Sequence, residues 1–200
     1  HTLAQVVTKM LVIFPFEEDL YRDKGVDCTY VGNPLLDEVA GYTRTEQRPE
    51  ELVVGLLPGS RSQEIERIAP VMAEVGAALL KDYPQLRLLT PCLTPDRAAQ
   101  IRRSMGGLSV EIITGGMHDV LARARCCLVA SGTATLETAL FEVPMCIVYR
   151  LNPITYWLAK LLVHIRFIGI VNILAGRMLV PELIQQDAVA ERILPVMKDL

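Results

Sequence analysis

At 200 residues and 22.2 kDa the chain is long enough to bury about 70% of the surface it would expose unfolded, so its core needs no disulfides. Hydrophobic residues make up 51% of it and charged residues 22%, which excludes disorder and collagen-like repeats. Twenty Lys and Arg against 23 Asp and Glu leave a net charge of −3, which argues against a general nucleic-acid binder held by phosphate neutralisation.

The opening residues His1 to Val7 read as the middle of an amphipathic helix and not as a signal peptide, so the expectation is a piece of a longer protein. Met10 to Phe14 then reads as a strand, residues 16 to 24 as a helix and Cys28 to Val31 as a second strand. Two strands do not make a core of their own. Residues 1–40 are therefore expected to be the C-terminal remnant of one domain, and the polar stretch 41–51 a linker.

From residue 52 onward, short continuous apolar runs alternate with helical patterns. Leu52 to Leu57 is the first buried-strand run, followed by a helix with Ile65, Ile68, Val71, Met72, Val75 and Leu79 on one face that stops before Tyr83-Pro84. Strands follow at Leu86 to Leu89, Val110 to Ile113, Cys126 to Ala130 and Met145 to Tyr149, with helices over residues 96–105, 117–124 and Thr133 to Phe141. Continuous rather than alternating apolar strands imply a parallel sheet covered on both faces. The fold class is therefore α/β, a doubly wound Rossmann-like domain over residues 52–200 beside a partial second domain.

In such a sheet, ligands bind at the carboxyl ends of the strands, where helix N-termini present unpaired N–H groups. Two turns suit a diphosphate there. In Leu57-Pro58-Gly59-Ser60-Arg61, Gly59 admits a ligand to the backbone and Arg61 offers a forked set of donors. In Ser131-Gly132-Thr133-Ala134, two hydroxyls and small residues open a helix, and Glu137 one turn later can accept the hydroxyls of a ribose. The plainer readings are a capped turn with an exposed Arg, an ordinary N-cap sequence, and a carboxylate that complements the helix dipole. Neither loop is a GxGxxG fingerprint or a P-loop.

Residues 143–181 contain no Asp or Glu but carry Arg150, Lys160, Arg166 and Arg177, a basic apolar island in an acidic chain. Within it Asn152-Pro153 opens an expected helix with Ile154, Trp157, Leu158, Leu161, Leu162 and Ile165 on one face, a stripe that suits either a core or an anionic lipid surface. The longest apolar stretch, Ile154 to Val171, includes Lys160, His164 and Arg166, so no membrane-spanning helix is expected. Asn172 and Arg177 follow, an amide and a guanidinium that could face a nucleotide, with a turn capped by Asn as the alternative. His118 opens a helix and is given no catalytic role. The spacing of Cys28, Cys92, Cys126, Cys127 and Cys146 fits neither a metal knuckle nor a disulfide framework, and buried reduced thiols are expected.

The series VGNPLLDEV (31–39), LLPGSRSQEI (56–65), ASGTATLETAL (130–140), PMCIVYRLNPITYWLAKLLV (144–163) and NILAGRMLVPELIQ (172–185) resembles the lipid-A-disaccharide synthase family. The resemblance implies the C-terminal half of a GT-B glycosyltransferase, the domain that binds the sugar-nucleotide donor. The implied activity is transfer of 2,3-diacylglucosamine, with inversion and without metal or other cofactor, from UDP-2,3-diacylglucosamine to 2,3-diacylglucosamine 1-phosphate, releasing UDP. It implies Arg61 as the residue that stabilises the departing UDP, and a donor site of Gly59, Ser60, Arg61, Ser131, Gly132, Thr133, Ala134, Glu137, Asn172 and Arg177, with Met117 beside Gly116 at the uracil edge. It further implies a cytoplasmic enzyme peripheral on the inner face of the inner membrane, with homo-oligomerisation left open. The family's candidate general base lies in the half absent from this chain, so these residues alone are expected to lack turnover. The rival readings are another GT-B-type enzyme of UDP-N-acetylglucosamine, a 2-epimerase or lipid-linked transferase, and a non-catalytic nucleotide-binding module.

Overall fold

The computed structural model of the chain describes residues 2–42, 51–151 and 166–200. It divides into two compact units, residues 1–43 and 44–200. The expected helix beginning at Asn152 lies outside the described residues.

In the smaller unit, α1 (Thr2–Val6) precedes β1 (Met10–Val12), α2 (Pro15–Arg22), β2 (Cys28–Tyr30) and α3 (Pro34–Ala40), and the two strands pair in parallel with Met10 opposite Cys28. Local chemistry sets the helix starts. Pro15 stands in the first turn of α2 while Glu17 accepts the Phe14 N–H at 3.2 Å, and Asn33 accepts the Leu35 N–H at 3.0 Å ahead of Pro34. Within this unit Val12, Val26 and Cys28 are buried, whereas Leu3, Val6, Leu11, Phe16, Leu20 and Leu36 remain exposed.

The larger unit runs β3 (Val53–Leu57), α4 (Ser62–Asp82), β4 (Arg87–Cys92), α5 (Pro95–Ser104), β5 (Glu111–Thr114), α6 (Met117–Arg123), β6 (Cys126–Ala130), α7 (Thr133–Leu140), β7 (Met145–Tyr149), α8 (Ile170–Ala175), β8 (Glu182–Ile184) and α9 (Ala190–Asp199). Its six strands are all parallel, in the order β5-β4-β3-β6-β7-β8. Counted from β3 this is the 3-2-1-4-5-6 order of the doubly wound fold, and the switch in direction falls between β3 and β6.

Strands β3 and β6 are buried along their full length, which explains their unbroken apolar runs. One face of the sheet packs Leu56, Leu88 and Leu128 against Ile65, Met72 and Val75 of α4, Ile101 of α5, and Ile193 and Met197 of α9. On the other face α6 approaches closely because β3 carries a glycine there. A Cβ on Gly55 would lie 2.5 Å from Cys127 Sγ and 3.5 Å from Val120 Cγ1. Strand β4 continues past the expected end at Leu89, through Thr90 and Pro91 to Cys92. There its pairing with β3 has ended and β5 is its neighbour, so Pro91 interrupts no central ladder. Among the described residues no helix is long and apolar enough to cross a membrane.

All five cysteines are buried and none is in a disulfide. Burial pushes the Cys126 thiol up to about 11 and that of Cys146 up to about 12. At pH 8 both stay protonated, and the thiolate is the reactive form. A disulfide-exchange reagent should therefore leave both unmodified in the native chain and react with all five cysteines after denaturation; prompt native labelling of either, mapped by peptide mass, would contradict the packing described.

Candidate functional site

The fold brings both candidate turns to the switch point. Leu57 of β3 stands opposite Val129 of β6, so the turns that follow leave adjacent strands, about 4.8 Å apart, at the same carboxyl edge.

In the first turn Gly59 has φ of +96°, a conformation that L residues avoid, and a Cβ there would lie 2.6 Å from Glu64 Oε2. Glu64, three residues into the turn, accepts the Arg61 N–H at 3.4 Å and a guanidinium N–H of Arg61 at 2.9 Å. The N-terminus of α4 is thus closed by its own carboxylate. The Arg61 side chain remains 82% exposed, and one bond to Glu64 leaves its other donors able to meet a ligand. Behind it, buried Gln100 donates to Ser62 Oγ at 2.6 Å and to Glu66 Oε1 at 3.1 Å, clamping the first turn of α4 onto α5. Ser60 is exposed beside Arg61.

The second turn is built differently. Gly132 precedes α7 and offers no side chain to cap it, while Thr133 is exposed at the first helical position. The Thr135 hydroxyl donates to the Gly132 carbonyl at 2.7 Å and that of Thr138 to the Ala134 carbonyl at 2.7 Å, so these two are spent within the helix. Ser131 donates its hydroxyl proton to the Ile168 carbonyl at 3.2 Å and its N–H to the Val148 carbonyl at 3.0 Å. Of the two hydroxyls read as ligand contacts, that of Ser131 is a tether and that of Thr133 faces outward.

Glu137 is partly buried one turn along α7, and His118 Nε2 lies 3.8 Å from its Oε2. The imidazole leans on the Phe141 ring, with centroids 5.2 Å apart. His118, read as a residue without a part, is therefore brought against the carboxylate that the ribose reading needs. Met117 opens α6 half-buried, directly after buried Gly116.

Asn172 reverses its sequence reading. It is fully buried in α8, and its amide donates to the Val180 carbonyl at 2.8 Å and to Glu182 Oε1 at 2.7 Å, while its oxygen accepts the N–H of Leu179 at 2.7 Å and of Val180 at 3.1 Å. Two donors and two acceptor sites are all the amide has. It braces the loop after α8 and has nothing left for a nucleotide. Arg177 is exposed beyond Gly176, whose φ of +63° ends α8, so amide and guanidinium do not share a face toward one ligand.

Two residues of the PELIQ segment went unread. Glu182 accepts three N–H groups, and Gln185, held at φ of +54°, receives the Leu151 N–H at 2.6 Å and donates to the Leu151 carbonyl at 3.3 Å. The run of polar residues at the start and end of a short apolar strand was the available signal.

Comparison with known proteins agrees with this architecture. The family model described as "Lipid-A-disaccharide synthetase" matches residues 1–197. The lipid-A-disaccharide synthase of Pseudomonas syringae pv. tomato is 39% identical over 203 residues, covering 95% of this chain and 53% of its own length. That of Geobacter metallireducens is 42% identical over 201 residues, covering 96% and 52%. The chain thus spans about half the length of these curated relatives. Among solved structures, TarM superposes with a TM-score of 0.52 at 14% identity, covering 98% of this chain and 38% of that one. A Staphylococcus aureus TarM variant in complex with UDP gives 0.50 at 12% identity, with the same shares covered. At such identity the likeness is one of fold, an α/β Rossmann-like one. On the match over almost its whole length, the chain belongs to the lipid-A-disaccharide synthase family.

Proposed function

We propose that residues 52–200 are the UDP-sugar donor-binding domain of an inverting, metal-independent glycosyltransferase, and that residues 1–40 are the end of its acceptor domain, joined by the linker 41–51. The reaction is transfer of 2,3-diacylglucosamine from UDP-2,3-diacylglucosamine to 2,3-diacylglucosamine 1-phosphate, at the cytoplasmic face of the inner membrane. The observation that carries this reading is the adjacency, in a chain of this family, of the Arg61 turn and the open α7 terminus across the β3/β6 switch point.

As the bond to the anomeric carbon breaks, negative charge grows on the departing UDP. The N–H groups of Thr133 and Ala134, with the positive end of α7, receive one side of the diphosphate, and the Arg61 guanidinium reaches the other across Gly59 and Ser60. Glu137 accepts the ribose hydroxyls, with His118 holding its carboxylate from α6. Met117 and Gly116 flank the base. Arg177 and the other basic residues of the acid-free stretch 143–181 meet the anionic lipid surface that carries the acylated substrates. A group that takes the proton from the acceptor hydroxyl belongs to the other half, so this chain alone binds donor without turnover.

Calorimetric titration with UDP, UDP-glucosamine and ADP tests the site. Uridine ligands are expected to bind at least tenfold tighter than ADP, and Glu137→Ala to weaken UDP by about tenfold or more, roughly 1.4 kcal/mol. No heat with UDP at millimolar concentration would overturn the donor-site assignment. Disaccharide formation by the 200-residue chain would overturn the division of labour.

A further inference from the structure

Helix α8 follows Gly169, and the loop that leads into it is held by a carboxylate from β8. Glu182 accepts the Ile168 N–H through Oε2 at 2.9 Å and the Gly169 N–H through Oε1 at 2.9 Å. The same Oε1 accepts the Asn172 amide at 2.7 Å. Glu182 is fixed in turn by β8, where it stands opposite Ile147 of β7. Close packing leaves no room for a side chain at 169, since a Cβ on Gly169 would collide with the Ile147 side chain and lie 3.0 Å from Glu182 Oε1.

The loop held this way carries one group that faces the other side. The Ile168 carbonyl accepts the Ser131 hydroxyl, and Ser131 leads directly into Gly132 and the first turn of α7. A continuous path of hydrogen bonds therefore runs from strand β8, through Glu182 and the 168–169 backbone, to Ser131, two residues before α7. Charge-assisted bonds from a carboxylate to N–H groups are among the stronger ones in proteins.

We propose that Glu182 is a positioning residue, which through Ile168 and Ser131 holds the first turn of α7 in the geometry that receives a diphosphate; the function of that turn rests on the donor-site reading above. A glutamine at position 182 keeps the shape but exchanges one acceptor for a donor, so at least one of the three N–H groups loses its partner.

The test uses the chain with Glu182→Gln, Ser131→Ala and both together, reading amide hydrogen exchange at Thr135, whose N–H bonds to the Gly132 carbonyl at 3.1 Å, and UDP affinity by calorimetry. Glu182→Gln is expected to speed exchange at this amide and to weaken UDP, each by about tenfold, as expected when one hydrogen bond in the path is lost. In the Ser131→Ala background, where the tether is already cut, the same change should matter less than about twofold, because coupled residues are not additive. Unchanged exchange at Thr135, or an equal effect in both backgrounds, overturns the proposal. Should Glu182→Gln fail to fold, Ser131→Ala alone must still speed exchange at Thr135, and no change there overturns it. If exchange responds as stated while the unsubstituted chain binds no UDP, the brace stands and the nucleotide reading falls.

Discussion

Asn172→Ala is expected to lower folding stability by about 3 kcal/mol, since each buried polar group left unpaired costs about 1–3 kcal/mol and water can reach only part of the gap. Truncation strips partners from the Leu179 and Val180 N–H groups, the Val180 carbonyl and Glu182. The urea midpoint of the variant checks this, and a shift of a few tenths of a kcal/mol would show that the loop is not held here. Asn172→Asp separates shape from charge. It sets a second carboxylate where the amide lay 2.7 Å from Glu182 Oε1, and two carboxylates that close raise the pKa of one. A pKa raised in the folded state means that the folded chain holds the extra proton, so stability falls as pH rises through it. Relative to the unsubstituted chain, Asn172→Asp should therefore recover at pH 5 part of what it loses at pH 8. A loss independent of pH would remove Glu182 from the account.

Gly55→Ala is the second large effect, about 2–3 kcal/mol of destabilisation, in the range typical of overpacking a closed core. The added methyl would lie 2.5 Å from Cys127 Sγ, directly across the β3–β6 ladder, and against Val120 of α6. Removing the sulfur should make room. In the double variant Gly55→Ala, Cys127→Ala, most of the loss from the glycine change is expected to vanish, a coupling of at least about 1 kcal/mol in a double-mutant cycle. Additive losses would mean that the methyl is resisted by the Leu57 side chain, 3.0 Å away, or by Val120 of α6 rather than by the thiol.

What could be read from the residues follows how local the deciding contact is. Strands β3 and β6 were legible because both faces of each are covered, which leaves an unbroken apolar run as the trace of burial. Both turns were legible for a different reason, since Pro58-Gly59 and Ser131-Gly132 end strands by local chemistry. The fold class follows from these, and the family match and the sheet agree with it. Asn172 was misread because an amide after an apolar run faces a ligand or the protein with equal ease. Its partners at Leu179, Val180 and Glu182 come into place only when Gly176 turns the chain back. Ser131 was read as a ligand donor because the carbonyl that takes its proton lies 37 residues away. His118 gained a neighbour from another helix, and Pro91 concealed the end of β4, where the last residues pair on one side alone.

The central place of β3 has a consequence for synthesis on the ribosome. One edge of the strand pairs with Leu88 opposite Val54, but the other waits for Cys126, 72 residues after Val54 (126 − 54). At elongation rates of about 5–20 residues per second, that edge of the nascent chain stays open for roughly 4–14 s. The same strand that supplies the Arg61 turn is thus an unpaired, fully apolar template during that interval, and its enclosure awaits the arrival of the strand that carries the other half of the site.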